Sequence, residues 1–109
     1  DLLKEVSGGA ATANFDRDAE QFLSLLKAGH HEKSLSILEE LSVKYLLEPA
    51  KYSEYFSDLT LGASNYRSAH RNYNINLITY DKFKVEEAKL TSFLNMQFDN
   101  LKALVDEQK

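Results

Sequence analysis

The sequence predicts an all-α protein: a small antiparallel bundle of about four helices with one long central helix. Two observations lead there and a third sets the scale. From Tyr52 to Tyr80, large side chains recur alternately three and four residues apart. Phe56, Ala63, His70 and Leu77 occupy one position of a seven-residue repeat, and Tyr52, Leu59, Tyr66, Tyr73 and Tyr80 another. That is the spacing of a helix presenting one seam to its neighbours. Nowhere do apolar and polar residues alternate for long enough to make a half-buried strand. Finally, 109 residues leave room for a single modest core, so a long helix must be covered by shorter partners.

In chain order, Asp1 to Val6 has the pattern of a short helical turn, and Ser7 to Asn14 (SGGAATAN) follows with paired glycines and no large side chain. Residues 1–14 are expected to form a flexible segment or linker and residues 15–109 the bundle domain. A start at Asp1 rather than Met is expected of a processed product or of a domain within a longer protein.

Asn14 or Asp16 can cap a first helix from about 16 to 28, and Asp16, Asp18 and Glu20 complement its positive end. Phe15, Ala19, Phe22, Leu23 and Leu26 share a face, and Gly29 stands where a left-handed terminal residue belongs. A second helix starts near His31, with Leu35, Leu38, Leu41 and Tyr45 on one stripe, and Pro49 stops it. So short a connection makes the two an antiparallel hairpin. The stretch FLSLLKAGHHEKSLSILEEL resembles the hairpins of helical repeat proteins, a likeness that implies α-helical packing and nothing about activity.

Pro49 suits the first turn of the third helix, where its missing N–H is not needed. Two signals compete for the next boundary: the Asn72, Asn74, Asn76 cluster, and Thr79 or Asp81 as caps. A turn at 79–82 is preferred, because Leu77 and Tyr80 keep to the seam while Lys84, Glu87 and Thr91 leave it. The final helix then turns Phe83, Leu90, Leu94, Phe98, Leu101 and Val105 inward. Its heptad phase continues that of the third helix, so an unbroken helix running into a coiled coil is the competing reading.

Composition narrows the function. Apolar residues at 43% and charged residues at 28% are those of a folded domain. A net charge of -4 disfavours nucleic acid as the main partner, since coating phosphates needs excess Lys and Arg. With no cysteine, disulfides and thiolate sites are excluded, and an intracellular setting, cytoplasmic or nuclear, is expected. No uncharged run reaches the roughly 18 residues of a membrane span. The residues three before His30, His31 and His70 are Lys27, Ala28 and Arg67, so the Glu-x-x-His pattern of bundle metal sites fails. No phosphate loop, nucleophile elbow or H-E-x-x-H motif occurs. No catalytic residue, cofactor or metal is therefore expected, and His30, His31 and Glu32 read as a solvated turn.

One constellation remains. Tyr66, Arg67, His70, Arg71 and Tyr73 form an aromatic, basic strip, and no acidic residue occurs from Leu59 to Tyr80. Either the arginines grip an acidic or phosphorylated partner segment, or they pair with Glu39 and Glu40 or with Glu86 and Glu87 across the bundle. Leu61, Ile75 and Ile78 give the same helix a second apolar face, so that it is either central in the bundle and covered on both sides, or open there to a partner helix or to another copy of the chain. The expectation is a non-catalytic protein-protein interaction or assembly module that takes an acidic or amphipathic helical segment, with self-association as a further mode. The alternatives are a nucleic-acid contact through Arg67, Arg71, Lys82 and Lys84, and a sensor bundle holding a small molecule at Tyr66, His70 and Tyr73.

Overall fold

The computed structural model describes residues 9–108. Helices α1 (Gly9–Lys27), α2 (His31–Tyr45), α3 (Ser53–Asn74) and α4 (Tyr80–Glu107) follow one another, with a 3₁₀ turn at Pro49–Tyr52 leading into α3. No strand occurs among the described residues. The fold is the expected all-α bundle, but its long central element is α4. At 28 residues it extends about 42 Å and runs most of the 55 Å length of the molecule.

The helix α1 begins earlier than the expected position 16. Residues 9–14, read as part of a linker, are helical. Alanines at 10, 11 and 13 are the best helix formers, so extending the helix backwards costs little. The rest of that segment lies outside the described residues. At the other end Gly29 takes φ +83°, its N–H reaches the Leu26 carbonyl at 3.1 Å, and the His30 N–H reaches the Leu25 carbonyl at 2.9 Å. This paired closure satisfies the last carbonyls of α1 and turns the chain into α2.

The α3–α4 boundary departs from the preferred turn at 79–82. The helix α3 stops at Asn74, and Asn76 adopts φ +64°. Its N–H bonds the Tyr73 carbonyl at 3.0 Å, and the Leu77 N–H bonds the Asn72 carbonyl at 2.8 Å. Asparagine is among the few residues other than glycine that enter the left-handed region readily. Thr79 then caps α4, its Oγ1 accepting from the Lys82 N–H at 3.2 Å. Both competing signals were real, one ending a helix and the other starting the next. The seam reading of Leu77 and Tyr80 fails, since they are 69% and 54% exposed.

Elsewhere the periodicity places the core. Tyr52, Leu59, Ala63 and Tyr66 on α3 and its approach are buried, as are Phe83, Leu90, Leu94, Phe98 and Leu101 on α4. From α1, Phe15 and Phe22 stack on Phe98 with ring centroids 6.1 and 5.2 Å apart. Asp18 holds α1 to α2 by accepting from Lys44 Nζ at 3.0 Å and from the Tyr45 hydroxyl at 2.8 Å. These bonds, Lys44 first, keep its carboxyl below the ordinary range. Tyr55 Oη and Ser42 Oγ lie 2.7 Å apart, with the Ser42 hydrogen directed to the Leu38 carbonyl, so the phenol donates and joins α3 to α2. The end of α2 is stapled from α4, since Gln108 accepts from the Leu47 N–H and donates to the Tyr45 carbonyl.

Candidate interaction surface

On α3 the predicted strip divides into a packed part and an exposed part. Phe83 of α4 is the hub of the first. Tyr73 stacks on it at 4.7 Å with planes 3° apart, and His70 and Tyr66 lie 5.6 and 6.1 Å away. Tyr66 is buried, and burial followed by the charges of Glu87 and Glu32 pushes its phenol up to about 12. His70 and Tyr73 are half-buried. These rings fasten α3 to α4.

The exposed part holds the two arginines, with different fates. Arg67 faces α2, where Nε donates to Glu32 Oε1 at 3.0 Å and the two terminal nitrogens grip both oxygens of Glu39 at 2.7 and 3.2 Å. The forked bond to Glu39 raises the already high guanidinium pKa further. Arg71, one turn on, is exposed and has no ion pair among the described residues. The second apolar face divides as well. Leu61 and Ile75 are 63% and 58% exposed but sit about 21 Å apart along the helix, whereas Ile78 is half-buried against the core.

Between α3 and α4 runs a groove of about 500 Å³. Ala69, Leu90, Phe93 and Ile78 give it an apolar floor, Asn65, Ser68 and Asn72 an uncharged wall, and Lys82, Glu86 and Lys89 the opposite rim. The helices approach closely at Gly62, where the Phe93 ring occupies the space a Cβ would take. Glu86 is matched by Lys89 at 3.3 Å, and Lys84 by Glu87 at 3.3 Å, but Lys82 has no ion pair among the described residues. The groove therefore carries a surplus of positive charge in an acidic chain.

A second polar cluster escaped the sequence reading. His31 does not lie in a solvated turn: its Nε2 is 3.0 Å from Thr91 Oγ1, and its buried Nδ1 is 3.2 Å from Glu87 Oε2 without hydrogen-bond alignment. The Thr91 hydroxyl gives its hydrogen to the Glu87 carbonyl at 3.1 Å, so Nε2 donates to Thr91. A histidine acting as base would have to accept that hydrogen instead. In this arrangement the imidazole is a bracket between α2 and α4. His31 lies up to 60 positions from its partners, and the sequence places Glu87 and Thr91 off the seam; only the one-turn spacing of Glu87 and Thr91 on α4 points to them. No group of three or more His, Asp or Glu placed to hold a metal ion occurs among the described residues, and no described helix is long and apolar enough to cross a membrane. Comparison with family models, curated proteins and solved structures gave no match.

Proposed function

We propose that this domain is a non-catalytic protein interaction module, and that its docking surface is the α3–α4 groove together with Arg71. The observation that carries the reading is a mismatch of charge: the chain has a net charge of -4, yet α3 and α4 hold two cations without ion-pair partners among the described residues, Lys82 on the rim of the groove and Arg71 exposed on α3. An apolar floor between polar walls suits an amphipathic segment, and the unmatched cations favour one bearing carboxylates. Arg67 does not belong to this surface, because Glu32 and Glu39 occupy its donors. Tyr66 contributes as part of the wall and Tyr73 as the support behind it.

Selection of helical peptides from a random display library against the folded domain tests the reading. Sequences with apolar residues three and four apart, interleaved with Asp or Glu, are expected. Binding should fall by about tenfold or more on Lys82→Glu combined with Arg71→Glu, the scale of a few lost charge contacts. Peptides of basic or neutral character, or peptides whose affinity the double variant leaves unchanged, would remove the groove as the docking surface.

A further inference from the structure

At the opposite end of the α3–α4 interface lies a separate cavity of about 490 Å³, between the first turns of α3 and the last turns of α4. It is open to solvent, and one residue of its lining is anomalous for a helix face turned toward the core. Leu90, Leu94, Leu101 and Leu104 form the inward stripe of α4, and Gln97 interrupts it while remaining only 2% exposed. Gln97 Oε1 accepts from Asn100 Nδ2 at 3.3 Å. Its Nε2 has no protein partner among the described residues and yet is not sealed, because the side chain lines the cavity. Its free donors open on the cleft, where water or a ligand oxygen accepts from them. Leucine would continue the apolar stripe, and such local conflicts concentrate at functional positions.

The rest of the lining specifies what would complete it. Glu54 and Asp58 stand one turn apart on α3 and border the cavity, and neither has an ion pair among the described residues. Two carboxylates so placed repel each other and favour a cation between them. Tyr52 and Tyr55 supply aromatic walls, which also attract ammonium groups. Lys51, its ammonium 5.9 Å above the Tyr52 ring, brings a positive charge to the rim.

From this juxtaposition we propose that the cavity is a binding site for a small amino-acid-type ligand, an ammonium joined through a short link to a carbonyl or carboxylate oxygen. The ammonium sits between Glu54 and Asp58, and the oxygen accepts from Gln97 Nε2. This site is distinct from the docking groove and does not depend on it.

Binding is read by amide chemical-shift changes, including the Gln97 side-chain NH₂ pair, as each of the common L-amino acids is titrated into the domain. At least one is expected to shift the residues around the cavity and no others. Its α-amide should bind comparably and its N-acetyl derivative, lacking the ammonium, should not. A preference for the amide or for dipeptides over the free acid would assign the site to peptide N-termini rather than to free amino acids. Gln97→Leu should fold with equal or higher melting temperature and bind about tenfold more weakly or not at all, as should Glu54→Gln with Asp58→Asn. The proposal fails if no amino acid binds below about 10 mM, a threshold set by the few contacts available. It fails equally if the folded Gln97→Leu and Glu54→Gln, Asp58→Asn proteins bind as the parent does.

Discussion

Two of the three helix junctions, α1–α2 and α3–α4, use the same closure written in different residues. At each, a residue in the left-handed region closes the last turn with a pair of backbone bonds, Gly29 after α1 and Asn76 after α3. The first turn is visible in the sequence because glycine interrupts the apolar pattern there. The second is hidden because the pattern runs through it: Leu77 and Tyr80 fall in phase with the seam by coincidence and point into solvent. Periodicity reports which residues would share a face if the chain were helical. It does not report where helix formation stops.

The largest effect should come from removing what holds the second junction. Phe83 carries the rings of Tyr66, His70 and Tyr73 against the start of α4. Phe83→Ala is expected to cost about 3–5 kcal/mol, near the total stability of a small domain. Leu26→Ala, at the corresponding place before the first junction, deletes less volume and should cost about 2–4 kcal/mol. Urea unfolding monitored by circular dichroism would rank them, and the reverse order would mean that the aromatic cluster is loosely packed.

Exchanging the turn residues tests the equivalence itself. No heavy atom lies within 4 Å of where a Cβ at Gly29 would sit, so only backbone strain opposes substitution there. Gly29→Asn should cost under about 1 kcal/mol, and Gly29→Val about 1–2 kcal/mol or more. Asn76→Gly should be neutral within about 0.5 kcal/mol, while Asn76→Val should lose as much as Gly29→Val. A large loss on Asn76→Gly would show that the asparagine side chain has a further role.

These two junctions also mark what the sequence could disclose. The inward faces of α1, α2 and α4 were legible because burial repeats along a helix at fixed intervals, from Phe15 through Leu26 and from Phe83 through Leu101, except that Leu23, expected on the face of Phe22 and Leu26, is 43% exposed. The bridge from Arg67 to Glu39 was one of two pairings the charges allowed, and selecting it required the orientation of α3 on α2. His31 with Glu87 and Thr91 depends on the register between α2 and α4, which no local pattern encodes. Gln97 was legible in principle, as the one polar residue on the stripe of α4. Glutamine is ordinary in helices, however, and its burial here follows from the tertiary fold.

Next in size are effects of pH, which differ in sign between the buried phenols Tyr55 and Tyr66 and the carboxylate of Asp18. Burial raises the phenols of Tyr55 and Tyr66 to about 12, above their ordinary 10.0. The folded state then keeps protons that the unfolded chain would release. Their contribution is complete below pH 10 and is lost as pH rises toward 12. Melting temperature should fall across that window, and Tyr55→Phe with Tyr66→Phe should flatten the fall. Asp18, by contrast, is held below its ordinary 3.8 by hydrogen bonds from Lys44 and Tyr45. Its contribution is present above that value and is lost as pH drops below it. The acid effect should be the smaller, because water screens Asp18.

The smallest predicted effect separates the two arginines, and with them structure from recognition. Arg67→Gln leaves Glu32 and Glu39 without their partner, but all three side chains are partly exposed, so the loss should stay below about 1 kcal/mol. Arg71→Gln touches no ion pair and should leave the unfolding midpoint unchanged. In the peptide assay the order should reverse, with Arg71→Gln weakening acidic peptides and Arg67→Gln leaving them bound. If Arg67→Gln alone impairs binding while stability holds, then a partner competes with Glu39 for the guanidinium fork. The docking surface would then lie on the α2 side of α3 instead of in the groove beside α4.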